Sequence, residues 1–135
     1  MRKYLVVFLS LLLLYACYKT PTDTTEINWQ QLTRVDYHDY EGSEVIIVEE
    51  EQLSKLVNVF ESVFWQQNVM VKMSREEEGK ITLFVQKDKN MPERLYEYYI
   101  WFNIDGSAEV VDRENSAYGK LDKENTEILK DFFKR

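Results

Sequence analysis

Between residues 95 and 111 the chain alternates so regularly that few backbone forms can satisfy it. Tyr96, Tyr98, Ile100, Phe102 and Ile104 fall on one side of an extended strand, and Leu95, Glu97, Tyr99, Trp101 and Asn103 on the other. Asp105-Gly106 then separates this run from a second one, Ala108 to Val111. Alternation of that length predicts a strand, and an Asp-Gly step between two such runs predicts a hairpin with a two-residue turn. A row of large aromatic side chains cannot be left in water, so one face of this hairpin must lie against other elements. Covalent cross-links cannot take that role. The chain's only cysteine is Cys17, so no internal disulfide exists and the core must hold the fold.

The other elements follow from the same reasoning. Leu32 to Tyr40 reads as a first strand with Val35 and Tyr37 on one side, and Glu41-Gly42-Ser43 as a turn. Val45-Ile46-Ile47-Val48 is β-branched throughout, as expected for a strand covered on both faces. From Glu50 to Gln66, Leu53, Leu56, Val57, Phe60, Val63 and Phe64 recur at the spacing of one helical face. Glu49, Glu50 and Glu51 sit at its start, where negative charge suits the helix dipole. A short apolar piece, Val69 to Met73, is a candidate for one extra strand, and Arg75 to Gly79 reads as a solvated loop. Ile81, Leu83 and Val85 form another strand. Asp122 caps a closing helix whose apolar face is Ile128, Leu129, Phe132 and Phe133. The expected fold is α+β in the order β-β-α-β-β-β-α, an antiparallel sheet of about five to six strands with two helices on one face.

The N-terminus is of a different kind. Arg2 and Lys3 precede an apolar run from Tyr4 to Tyr15, and Leu14-Tyr15-Ala16-Cys17 closes it. This is the layout of an export signal. The apolar run is about a dozen residues, short of the ~20 that a membrane-spanning helix needs. The pattern resembles the bacterial lipoprotein signal, in which the cysteine is lipidated and the chain is cut between Ala16 and Cys17. The expected organisation is a signal peptide over 1–16, a lipidated Cys17 and polar tether over 17–26, and a single domain over 27–135. The chain would then sit at the cell membrane, lipid-anchored on its extracytoplasmic face. Its formal net charge of −7 becomes more negative once Arg2 and Lys3 leave with the signal. Such a body repels nucleic acid and anionic lipid, so the membrane is held through the lipid on Cys17 and no nucleic-acid partner is expected.

Three stretches of the C-terminal half carry a family resemblance: Tyr99 to Ser107, Tyr118-Gly119-Lys120-Leu121, and Glu124 to Leu129. They are similar to the closing strands and last helix of the YhfM-like small lipoproteins, and the earlier hairpin and helix fit the same order. The resemblance spans roughly residues 32 to 134. It implies an extracytoplasmic, lipid-anchored domain and carries no catalytic residues with it.

Catalytic signals are sparse. His38 is the only histidine, flanked by Asp36, Tyr37, Asp39 and Tyr40, and one histidine on the polar side of a hairpin reads as solvated. Metal and nucleophilic sites need several converging groups. Glu49 to Glu51 and Glu76 to Glu78 are runs of neighbours whose side chains diverge, and Asp105-Gly106-Ser107 lacks the later ligands of a calcium loop. No catalytic set, metal site or cofactor is therefore assigned. If the face bearing Glu97, Tyr99 and Trp101 is open, it forms an aromatic platform for a protein or glycan partner in the envelope. The alternative is that neighbouring segments cover it. The expectation is a non-enzymatic binding module, followed by an envelope inhibitor or immunity-type protein, and last a hydrolase of envelope polymers.

Overall fold

In the computed structural model, which describes residues 26–134, all the strands join one antiparallel sheet. They are β1 (Leu32–Asp39), β2 (Glu44–Ile47), β3 (Phe64–Gln66), β4 (Gly79–Val85), β5 (Arg94–Phe102), β6 (Ala108–Asp112) and β7 (Ala117–Leu121). The order across the sheet is β2-β1-β4-β5-β6-β7-β3. Two helices, α1 (Glu50–Glu61) and α2 (Lys123–Phe133), cover one face of it. The α+β class and the general order are as the sequence implies, with seven strands in place of five or six.

The alternation of β5 sorts its side chains as expected. Tyr96, Tyr98, Ile100 and Phe102 enter the core together with Val35 and Tyr37 of β1, Ile81, Leu83 and Val85 of β4, and Val110 of β6. Leu53, Leu56, Val59 and Phe60 of α1 and Leu129 and Phe133 of α2 pack onto them. A shared apolar face is what makes these short helices stable, since isolated helices of this length are marginal in water.

Four local features differ from expectation, each for a physical reason. The α1 helix stops at Glu61, where the Ser62 hydroxyl donates to Val59 O at 2.6 Å. Beyond it the pattern changes period: Val63 is buried, Phe64 exposed and Trp65 part-buried, which is the alternation of a strand. This segment is β3, and it pairs with β7. Their close approach requires Gly119, where a Cβ would lie 2.4 Å from Val63 Cγ1. The β5–β6 turn is also longer than two residues. Asn103 N donates to Ser107 O at 2.8 Å, leaving a three-residue loop with Gly106 at φ +91°, the form in which glycine takes the left-handed position. The β-branched β2 is an edge strand covered on one face only: Ile47 is buried on the core side, whereas Ile46 on the opposite face and Val48 just past the strand are exposed.

The last difference concerns segment 67–78, which is no free loop. It lies along the sheet face opposite the helices, tied by Val69 N to Ser116 O and Glu78 N to Ile100 O, both at 2.9 Å. Glu77 meets Arg113 at 3.0 Å, and Glu78 meets Arg75 at 2.6 Å and Lys134 at 3.3 Å. Here the acidic run is drawn down by basic partners from three directions.

Candidate active cleft

Segment 67–78 decides the fate of the aromatic face. Trp101 is 2% exposed, and its Nε1 donates to Arg75 O at 3.0 Å. The Arg113 guanidinium lies 3.7 Å over the Tyr99 ring, and Glu97 is paired with Lys80 at 2.9 Å. Glu97, Tyr99 and Trp101 therefore share a face, yet Trp101 is closed off and Tyr99 is capped, so no open platform exists there. Ala16 and Cys17 lie outside the described residues. Among the described residues no helix is long and apolar enough to cross a membrane.

His38 has company that the sequence concealed. The register sets His38 opposite Glu44, with Nε2 at 3.3 Å from Oε1, and Asp36 two residues away on the same face. These three groups bring a ligand atom each within 4.8 Å of one another. The Asp36 carboxylate is already held at 2.6 Å by both Nε and Nη2 of Arg34. A cation would have to displace that fork or share its oxygens with it.

A large concavity lies on the helix side, at the end of the sheet where β5, β6 and β7 meet the α1 C-terminus. Its volume is about 1060 Å³. The N-terminal segment enters it through a short 3₁₀ turn, Trp29–Gln31, whose start is fixed by Asn28 Oδ1 accepting from Gln30 N. This turn brings Trp29 onto Phe60 with ring centroids 5.8 Å apart. Phe60 meets the edge of Tyr98 at 6.3 Å, and Trp65 from β3 leans on Tyr98 at 5.2 Å. Four aromatic rings from four separate segments thus form one continuous wall. Phe60 and Tyr98 are buried, whereas Trp29 and Trp65 are only half-buried and line the opening.

At the floor of this wall is Asp112, the last residue of β6, 8% exposed. Strand alternation puts it on the inner face with Val110, one residue past the Tyr99–Val111 pair, and it lines the cleft together with Tyr98. Its two oxygens accept from Asn115, one from the backbone N at 3.0 Å and the other from Nδ2 at 2.8 Å. A carboxylate offers about four acceptor positions, so two remain. Burial, then the Asp112 charge, push the Tyr98 hydroxyl well above its ordinary value, so it stays a neutral donor across the physiological range. Gln67 and Asn68 supply further amide groups at the rim. A fixed carboxylate, a neutral phenol and side-chain amides beside an apolar wall can position a polar bond and activate a water molecule.

No family model and no curated protein matches the chain. Among solved structures it is similar to a thioesterase-like protein from Clostridium sporogenes ATCC 15579, at 22% identity and a TM-score of 0.53, over 76% of this chain and 94% of that one. The likeness establishes the fold. It also corrects the expectation of a non-enzymatic module, which rested on finding no catalytic motif. A thioesterase-like protein is built on this fold, and a carboxylate–water site leaves no motif to find, so a missing motif is no ground for setting an enzyme aside.

Proposed function

We propose that the chain is a thioester hydrolase whose reaction takes place in the aromatic cleft, with Asp112 as general base. The observation that carries the reading is the buried Asp112 carboxylate, held by Asn115 at the floor of the Trp29–Phe60–Trp65–Tyr98 wall. The likeness of fold to a thioesterase-like protein supports it.

Chemistry makes a single carboxylate sufficient. Asp112 takes a proton from a water molecule as the water oxygen bonds to the thioester carbonyl carbon. The C–S bond then breaks, and the thiolate recovers the proton, giving one carboxylic acid and one thiol. A thiol of pKa about 8.5 leaves readily as its anion, so no strong general acid is required, in contrast to an ester or amide. The Tyr98 hydroxyl and the rim amides are suited to donate to the carbonyl oxygen as charge develops on it. The apolar wall excludes competing water from the reacting carbonyl.

The test is thiol release from a panel of acyl thioesters. Asp112→Asn keeps the shape and an acceptor for Asn115 but cannot take a proton, and it is expected to lower kcat by about 10²- to 10⁴-fold with circular dichroism unchanged. Absence of turnover with every thioester, or an unimpaired Asn variant, would overturn the reading.

The location belongs to the same proposal. The signal-like N-terminus and the similarity to YhfM-like lipoproteins support an extracytoplasmic enzyme tethered through a lipid on Cys17. Cys17→Ser is expected to leave the protein unlipidated and to shift it out of the membrane fraction. Retention there, with normal processing, would remove the anchor.

A further inference from the structure

The charge around the cleft is one-sided. Among the described residues its lining includes the acids Glu26, Glu61 and Asp112, and no lysine, arginine or histidine. The basic residues closest in sequence to it are turned to the other face of the sheet. Arg113 stacks on Tyr99 and pairs with Glu77, and Lys120 lies over Tyr118. Alternation enforces this, because each follows an inward-facing residue, Asp112 or Gly119. On the inner face, Arg94 of β5 is held over the Tyr96 ring at 5.1 Å and is not part of the lining.

The aromatic wall adds a second, independent preference. Ring faces carry negative electrostatic potential and attract cations, tryptophan most strongly. Trp29 and Trp65 are the half-buried pair at the opening, and Glu61 at the end of α1 stands beside Phe60. Anions are disfavoured on both counts. A thiol carrier bearing phosphate groups would meet three carboxylates and four ring faces with no arginine or lysine to receive it.

We infer that the cleft selects thioesters whose thiol portion carries a positive charge, an ammonium or quaternary ammonium group, and discriminates against phosphorylated thiol carriers. The inference rests on the thioester hydrolase reading for its chemistry, although the cation site stands on the cleft itself. The cation lies between the Trp29 and Trp65 rings near the acidic rim, leaving the carbonyl to reach Asp112 at the floor.

Two measurements separate the claims. First, tetramethylammonium chloride is titrated against sodium chloride at constant ionic strength while tryptophan fluorescence is followed. Saturable quenching that is lost in Trp29→Leu and in Trp65→Leu is expected. Trp101, closed off on the other face, gives the constant background. Second, hydrolysis is compared for an acylthiocholine, its neutral isostere with carbon in place of the ammonium nitrogen, and the matching coenzyme A thioester. The cationic ester is expected to exceed the neutral one by about ten-fold in kcat/KM, and the coenzyme A ester to be the poorest. Equal rates for cationic and neutral esters without quenching, or preference for the coenzyme A ester, would overturn the inference and leave a thioesterase. Saturable quenching with no hydrolysis of any ester would keep the cation site and remove the thioesterase.

Discussion

Tyr37 is a core residue with a polar end that the core does not use. Its ring stacks on Phe133 at 4.4 Å, yet its hydroxyl is buried with no hydrogen-bond partner among the described residues, as is that of Tyr96. A buried, unpaired hydroxyl costs about 1–3 kcal/mol. Tyr37→Phe keeps the stack and removes the cost, so it is expected to stabilise the protein by about 1 kcal/mol in urea unfolding near neutral pH. The pH dependence has a definite sign. Burial first, then the charges of Asp39 and Glu78, push the Tyr37 hydroxyl up to about 12 from an ordinary 10.0. Between those values the folded chain retains a proton that the unfolded chain releases. The contribution is therefore complete below pH 10 and lost as pH rises toward 12. The wild type should lose stability across that window, and Tyr37→Phe should lose less. Equal losses would mean that other tyrosines govern alkaline unfolding. Residue chemistry of this kind is hidden in a sequence. Asp112 is equally hidden, because its neighbours Trp29, Phe60, Trp65 and Tyr98 come from segments that only folding brings together.

At the scale of elements, legibility follows length and period. The α1 helix, the β5–β6 hairpin and α2 announce themselves because each repeats its pattern over several turns or pleats. The α2 cap was legible to the residue. Asp122 accepts from Asn125 N at 2.8 Å, and it is the only side chain needed to satisfy that donor. Asp122→Ala is expected to cost about 1 kcal/mol, read from the urea midpoint. Removal of the carboxylate should matter less at Glu49, which precedes α1 without any side-chain cap. Short strands were less legible. The strand β3 has three residues, and Phe64 also sits four beyond Phe60, so a helical and an extended reading compete until Val63, Phe64 and Trp65 are seen to alternate in burial. The strand β7 lacks the β-branched signature, since Gly119 occupies its centre. That glycine is what admits β3 beside it. Covering of Trp101 by segment 67–78 was hidden for a similar reason: its ties are backbone and charge pairs that apolar periodicity does not record.

For the molecule as a whole, the decisive fact is that one core serves every element. Tyr37 in the first strand and Phe133 in the last helix close it from opposite ends of the described chain, while the Trp29 and Trp65 cleft lies among the same residues farther along the sheet. With no disulfide to divide the body, damage at one end should be felt at the other. Phe133 is 2% exposed, although it stands two residues from the C-terminus. If the terminal turn of α2 were an appendage, Phe133→Ala would fray it and leave the cleft intact. In a shared core it removes a large buried ring and its stack, at a cost of about 3–5 kcal/mol. The two cases differ in what the tryptophans report. In the shared-core case, fluorescence and far-ultraviolet circular dichroism should shift together to one lower urea midpoint with an unchanged slope. An early loss of helix signal, with the tryptophan transition left in place, would show that α2 folds onto the sheet independently. The cleft would then owe its shape to α1 and the sheet alone.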